Sequence, residues 1–428
     1  MEILTIISIL IGMIMYIVFK KCFASFFSLP RLMFNYWLVN IVVAVLFIDS
    51  YDWSIFAFLF IYTLCLSFGV GYMIPKKSIR IHENSDRIFN VSMMKRILIL
   101  SIILGVCNFY TQLLFYGFSI GDMLSFKSLL ALNNNIAIER YSNNAKPNLL
   151  SQLLLPFVYL SSLLGGYLYP FVTRKKEKLL SQISIIPSFL LLLVLNTKAV
   201  IISSLILWIS AFTVAYYKLH HSYFNVSKKK VVKYMLCFSC FLLLLMLSMM
   251  MRIGEFDVNT FLIVKNKFAS YAIGHMAAFD NWFINNVFNL SLNFGAITFL
   301  ALSDLLGLHV RIQGIFSDFF YTEGITTNVY TALRPLVMDY GIIGSILVFF
   351  FLGIMMNLCI KNIFSQNIII SSLSEVILIS FYSYILYGFI ASMFSYSSYL
   401  VMWVLMIMIL ILVKSGNHRR EVIRNAKI

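Results

Sequence analysis

Runs of about twenty apolar residues recur along almost the whole of this chain, separated by short polar connections. In a bilayer no water satisfies backbone amides and carbonyls, so a spanning segment must close its own hydrogen bonds. A helix of about 20 residues does this across the hydrocarbon layer. The runs do not alternate in polarity, which excludes the strands of a membrane β-barrel. We read spans near 3–19, 32–48, 53–74, 97–117, 149–172, 179–195, 199–217, 231–251, 335–359, 368–391 and 398–413. Composition agrees, with 61% hydrophobic and only 12% charged residues over 428, where a soluble chain carries about a quarter charged. The expected fold class is therefore all-α, a polytopic helical bundle of about eleven spans in a single integral membrane domain, 1–428.

The net charge of +16 would direct a soluble protein toward nucleic acid or another polyanion. Here it is sorted by position. Lys20, Lys21, Arg31, the group from Lys76 to Arg96, Arg174 to Lys178, Lys218 to Lys233, Lys361 and the tail hold 24 of the 33 basic residues, all on alternate connections. The positive-inside rule makes that face cytoplasmic. The charge is then topogenic, nucleic acid is not an expected partner, and the expected surroundings are membrane lipid. The same rule predicts an outside N-terminus and an inside C-terminus. Glu2 precedes the first run and Lys20-Lys21 follows it, the reverse of a cleaved signal peptide, so we expect a retained anchor. Cys237 and Cys240 form a CxxC within a span and lack polar company, so they are expected to be small buried apolar residues without a disulfide.

The outer face carries two longer loops, 118–148 and 252–334. Loops of that length are usually functional, and the second is expected to cap the bundle. Its middle, 294–308, is apolar but short. As a full span it would reverse every later segment, so a re-entrant or interfacial helix is expected there.

Cations near the apolar core persist mostly where they meet an anion or water. The outer face has nine: Lys127, Arg140, Lys146, Lys198, Arg252, Lys265, Lys267, Arg311 and Arg334. Lys198 lies in the tight Asn196-Thr197-Lys198 connection, Arg252 ends a span and Arg334 precedes Pro335 at the start of another. Cations at helix ends suit a shared anion such as a lipid phosphate or pyrophosphate, with ordinary snorkelling as the plain alternative. For acid–base work the carboxylates Glu139, Glu255, Asp257, Asp280, Asp304, Asp318, Glu323 and Asp339 and the outer histidines His275 and His309 are candidates. Asp339 is equally a buried hydrogen-bond partner or a countercharge for Arg334. Glu255-Phe-Asp257 has the spacing of a metal-binding pair, a weak signal, and no metal site is expected. No P-loop, Gly-x-Ser-x-Gly elbow, His-Glu-x-x-His or dinucleotide fingerprint occurs. No cofactor is expected, and the energy for any reaction must come from the substrate or a gradient.

The stretch 321–353, YTEGITTNVYTALRPLVMDYGIIGSILVFFFLG, resembles the C-terminal signature of bacterial oligosaccharide repeat-unit polymerases of the Wzy type, which make O-antigen and related surface polysaccharides. ERYSNN with the following QLLLPFVYLSSLLGGY, and YAIGHMAAFDNWF followed by FGAITFLALSDLLG, resemble other parts of those enzymes. The resemblance implies a glycosyltransferase of the membrane glycosyltransferase C kind in the bacterial inner membrane, with its active site facing the periplasm. It would transfer a growing glycan from undecaprenyl pyrophosphate to the next lipid-linked oligosaccharide, without nucleotide sugar or metal, and a chain-length regulator protein is a candidate partner. Many members carry Arg where this chain has Lys198, which keeps the charge but not the paired donors. On this reading Arg140, Lys198, Arg252 and Arg334 hold the pyrophosphate, Asn328 and Tyr330 orient sugar hydroxyls, and His275, Asp280 or Asp339 is the base. An O-antigen ligase is the alternative with the same architecture. A lipid-linked oligosaccharide flippase is the alternative without chemistry.

Overall fold

The computed structural model describes residues 3–48, 51–74, 90–141, 148–309, 316–322 and 324–425. The first half contains α1 (Ile3–Cys22), α2 (Leu29–Phe47), α3 (Ile55–Met73), α4 (Val91–Phe115), α5 (Phe126–Tyr141) and α6 (Leu149–Leu168). It continues through α7 (Lys175–Ile183), α8 (Ile186–Leu195), α9 (Lys198–His220) and α10 (Lys228–Ile253). There follow α11 (Val258–Ala272), α12 (Gly274–Asn286), α13 (Leu300–Leu305) and the antiparallel hairpin β1 (Phe320–Thr322) and β2 (Ile325–Thr327). The chain ends in α14 (Leu333–Asn362), α15 (Ile368–Tyr387) and α16 (Ser397–Asn425). Among the described residues eleven segments are long and apolar enough to cross a membrane: α1 to α4, α6, α7 with α8, α9, α10 and α14 to α16. The protein is an all-α multi-pass membrane protein.

One expected span, 179–195, is two helices. Pro187 has no amide to donate to Ile183, so the helix stops and restarts around Ser184 and Ile185. The Ser184 carbonyl is taken instead by Ser161 Oγ at 2.8 Å. Cys237 and Cys240 are free, but they lie on the exposed surface of α10 and not in the interior. The first turns of that helix are exposed, and their apolar surface suits acyl chains. The 294–308 segment does not span. Phe294 to Phe299 form turns, and α13 has six residues. Phe294 and Leu305 are about four-fifths exposed, at 80% and 81%, as an interfacial segment requires.

The chain forms two compact units, one of Met1–Ser85 with Asn266–Leu400, the other of Asp86–Lys265 with Val401–Ile428. In the first, α3 and α14 run side by side and in the same direction. Ser67 Oγ donates to the Ile346 carbonyl at 2.7 Å, and Asn357 Nδ2 to the Tyr72 carbonyl at 2.6 Å. Gly71 and Gly353 let the backbones meet. A Cβ on Gly71 would strike the Phe350 carbonyl, and one on Gly353 the Phe68 carbonyl. Lipid tails are as apolar as leucine, so such close backbone approach is what holds membrane helices together. Aromatic rings fill the rest, with Phe68 stacked on Phe381 at 5.0 Å and Phe19 on Phe34 at 4.6 Å.

α14 is broken at Gly341, whose φ of 64° and ψ of −172° leave the helical region. Its first segment, 333–340, therefore exposes C-terminal carbonyls that need donors. Residues 293–298 supply them. Asn293 N and Phe294 N donate to the Met338 and Asp339 carbonyls at 3.3 and 3.1 Å. In return the Asp339 carboxylate accepts from Ile297 N at 3.1 Å and Thr298 N at 2.6 Å. The turn and the broken helix end thus satisfy each other.

In the second unit α6 is central and packs against α4 and α9. Asn108 Nδ2 donates to Ser151 Oγ at 3.0 Å, Trp208 Nε1 to the Ser181 carbonyl at 3.0 Å, and Lys95 pairs with Glu177 at 2.6 Å.

Alanine replacing glycine gains about 1 kcal/mol in an ordinary helix. At Gly353 the sign is expected to reverse, with a loss of about 1–3 kcal/mol because carbonyl backbone cannot yield. Thermal melting of Gly353→Ala in detergent should show a lower midpoint than the parent, whereas Gly121→Ala, at an exposed position, should match it.

Candidate functional site

The first unit gathers an unusual set of side chains at the start of α14. Arg334 is only 6% exposed. Its Nη1 and Nη2 donate to the two oxygens of Asp318, at 2.7 Å to Oδ2 and 3.0 Å to Oδ1. This is the paired-donor geometry in which guanidinium binds carboxylate or phosphate. Tyr330 Oη adds a third hydrogen bond to Asp318 Oδ2 at 2.8 Å. Three rings enclose the guanidinium carbon, Phe316 at 3.9 Å, Tyr330 at 4.1 Å and Trp282 at 5.0 Å. The ring faces stabilise a cation that has lost most of its water. Arg334 Nε is buried and has no hydrogen-bond partner among the described residues. Burial works to raise the Asp318 carboxyl, but the bonds from Arg334 and Tyr330 outweigh it and hold the group below its ordinary range. Burial, then the bond to Asp318, pushes the Tyr330 phenol up to about 12.

Local sequence explains the arrangement. β1 and β2 pair from Phe320 opposite Thr327 to Thr322 opposite Ile325, which returns the chain toward α14. Gly274, at the start of α12, lets β2 lie close, since a Cβ there would crowd Ile325 and Thr327. α12 then carries Trp282 to the guanidinium. Asn328 is half-buried in the segment joining β2 to α14.

Two candidate acid–base groups lie on α12 in different surroundings. Asp280 is fully buried and accepts from Tyr51 Oη at 2.9 Å and Ser54 N at 3.0 Å, while its Oδ1 has no partner among the described residues. Burial raises its carboxyl to about 6, against the opposing bonds from Ser54 and Tyr51. His275 is also buried and packs edge-on to Phe389 at 5.8 Å. Burial pushes its imidazole down to about 3, against a weaker opposing contact with the Ala272 carbonyl. His275 is therefore neutral at physiological pH and a feebler base than its sequence position implied. Neither of its nitrogens has a hydrogen bond of normal geometry among the described residues. Asp339 spends both oxygens on the 293–298 turn and is not the countercharge of Arg334; Asp318 is. His309 is exposed.

The second unit has its own cationic centre. Asn196 adopts a left-handed conformation with φ of 51° and closes α8. Its side chain donates to Asn133 Oδ1 on α5 at 3.0 Å and to the Ser248 carbonyl on α10. Asn196 Oδ1 accepts from Ser248 Oγ at 2.6 Å and from Lys198 Nζ at 2.7 Å. Arg252 follows Ser248 by one turn, close enough for its charge to repel that of Lys198. Both cations are half-buried. Arg140 lies on α5, two turns beyond Asn133, and its side chain is outside the described residues, as are Lys146, Arg311 and Glu323. Asp257 caps α11, its Oδ1 accepting from Thr260 N at 2.6 Å. Among the described residues no three His, Cys, Asp or Glu side chains group to hold a metal ion.

The structure thus brings Lys198 and Arg252 together in one unit and Tyr330 and Arg334 together in the other. Asp318 is one of the carboxylates that the sequence offers for acid–base work, but no sequence signal pairs it with Arg334, and none assigns Phe316 or Trp282 to the site. No family profile matches the chain, and comparison with curated proteins and with solved structures gives no match.

Asp280 sets a pH dependence. Its folded value of about 6 lies above the ordinary 3.8, so between these limits the native protein binds a proton that the unfolded chain does not. Ionised Asp280 therefore costs stability above pH 6, and the cost is relieved as pH falls through that value. The thermal midpoint should rise between about pH 7.5 and about pH 5 in the parent, and this rise should be smaller in Asp280→Asn. Equal slopes would contradict the assignment.

Proposed function

We propose that this protein is a membrane glycosyltransferase that joins lipid-linked oligosaccharide units, on the face where α3 and α14 begin. A cationic centre in each unit carries the reading: Arg334 within its aromatic walls, and Lys198 with Arg252. Polymerisation needs two substrates that each bear a polyprenyl pyrophosphate, and each centre offers donors suited to phosphate oxygens. A ligase or a flippase handles one such head group at a time. The basic connections support an active face away from the cytoplasm, and the resemblance in 321–353 supports the inner membrane of a bacterium.

In the proposed reaction an acceptor hydroxyl attacks the anomeric carbon of the donor glycan. The carbon–oxygen bond to pyrophosphate breaks, undecaprenyl pyrophosphate leaves, and the hydroxyl proton passes to a base. The cation of the centre that binds the donor stabilises the charge that grows on the leaving oxygen. Asp280, raised to about 6 and with Oδ1 unspent, has a basicity suited to accept the proton. His275, held neutral, and Asp339, bound to backbone amides, are assigned to shaping the site. Asn328 and Tyr330 are assigned to sugar orientation, and Arg140 to the α5 side of the Lys198 centre.

Glycan gels of a deletion strain complemented with variants test this. Arg334→Ala and Arg252→Ala should abolish long chains and leave single repeat units. Asp318 is half-exposed, so losing Arg334 strands no deeply buried carboxylate and the variant is expected to fold. Chains of normal length in both variants would reject the transferase reading. Loss of every attached unit would point to a ligase, and accumulation of lipid-linked units on the cytoplasmic leaflet to a flippase.

A further inference from the structure

The Arg334 pair is lopsided. The guanidinium side chain is 8% exposed, whereas that of Asp318 is 48% exposed. A purely structural ion pair set in a protein interior would normally hide both partners, since one exposed end invites water and ions to compete. Phe316, Tyr330 and Trp282 close off the guanidinium with apolar ring surface. The Asp318 carboxylate occupies the polar approach that remains. A carboxylate presents two oxygens to a guanidinium much as a phosphate does. Tyr330 Oη, now bonded to Asp318 Oδ2, can donate equally to a phosphate oxygen, and Arg334 Nε holds a further unspent donor.

We propose that Asp318 is an exchangeable occupant of the Arg334 pocket, and that a phosphate group of the lipid-linked pyrophosphate substrate displaces it. The proposal rests on the transferase reading for the nature of the substrate, but not for the exchange itself. In the resting protein Asp318 neutralises the buried cation and fastens the approach to β1 to the start of α14. When phosphate takes both guanidinium donors, Asp318 turns to solvent and that fastening is lost. The hairpin of β1 and β2 then keeps its contact with α12, the edge-on packing of Phe320 against Tyr51 at 5.5 Å, and a bond from Thr326 N to Ser270 Oγ that is a long 3.4 Å. Substrate binding and hairpin loosening are thereby coupled, because the Nη1–Nη2 edge that Asp318 occupies can hold only one bidentate anion at a time.

Full-length protein in detergent, titrated calorimetrically with inorganic pyrophosphate and separately with a polyprenyl diphosphate, tests the exchange. If Asp318 occupies the pocket about nine-tenths of the time, its removal tightens binding about tenfold. Asp318→Asn should show that gain, and Arg334→Ala should lose binding at this site. A gain with both probes assigns the pocket to the head group, and a gain with the polyprenyl probe alone assigns it to the lipid-linked form. Binding by Asp318→Asn that equals or falls below the parent with both probes overturns the proposal. The parent protein supplies a second readout in case that variant does not fold. Amide hydrogen exchange over Phe320–Thr327 should quicken at saturating pyrophosphate, and unchanged or slower exchange overturns the proposal. The two readings fail separately: tighter binding by Asp318→Asn with normal glycan in Arg334→Ala cells removes only the transferase, and lost polymer without exchange removes only the displacement.

Discussion

A guanidinium cannot be left without a counterion in an apolar interior, and the first unit is organised around that constraint at Arg334. Removing one partner from a buried pair typically costs about 3–5 kcal/mol, so the groups that neutralise Arg334 must be held in place. Asp318 supplies the charge, and three rings replace water on the other sides. Each comes from a different stretch: Trp282 from α12, Phe316 and Asp318 from the approach to the hairpin, Tyr330 from the segment before α14. The two-stranded sheet, α12 and the helix start are thereby tied to one cation.

The break at Gly341 belongs to the same economy of polar groups. A continuous helix would satisfy its own carbonyls, whereas a helix ended at Tyr340 must find donors elsewhere. The turn at 293–298 provides them and receives the Asp339 carboxylate in exchange. The apolar segment 294–308 is then fixed to α14 by hydrogen bonds while its Phe294 and Leu305 side chains face outward. Irregular backbone of this kind is tolerated near a membrane only where protein satisfies it.

The spans were legible because their cause is local: twenty apolar residues in a row have one inexpensive structure in lipid. The break in 179–195 was legible in principle from Pro187, but apolarity alone hid it. The site was legible in part. Lys198 and Arg252 stand at helix ends and lie near each other through Asn196 and Ser248, whereas Arg334 belongs to the other unit. The partner of Arg334 was not legible. Asp339, five residues on, looked suitable by proximity, yet a helix turns 100° per residue and carries it to another side. Asp318 lies across a hairpin whose packing depends on Gly274, and no spacing rule reports that. The environments of His275 and Asp280 were equally hidden, since only tertiary burial separates a histidine pushed down to about 3 from a carboxyl raised to about 6.

The central claim, that these cationic centres serve glycan transfer between lipid-linked units, is tested most directly by reconstitution. Purified protein in vesicles would be given the lipid-linked oligosaccharide that accumulates in cells lacking it. The account predicts products two and more units long, with one polyprenyl diphosphate released for each new glycosidic bond. Unchanged oligosaccharide and no released diphosphate, with the lipid-linked unit instead moved across the bilayer, would contradict it.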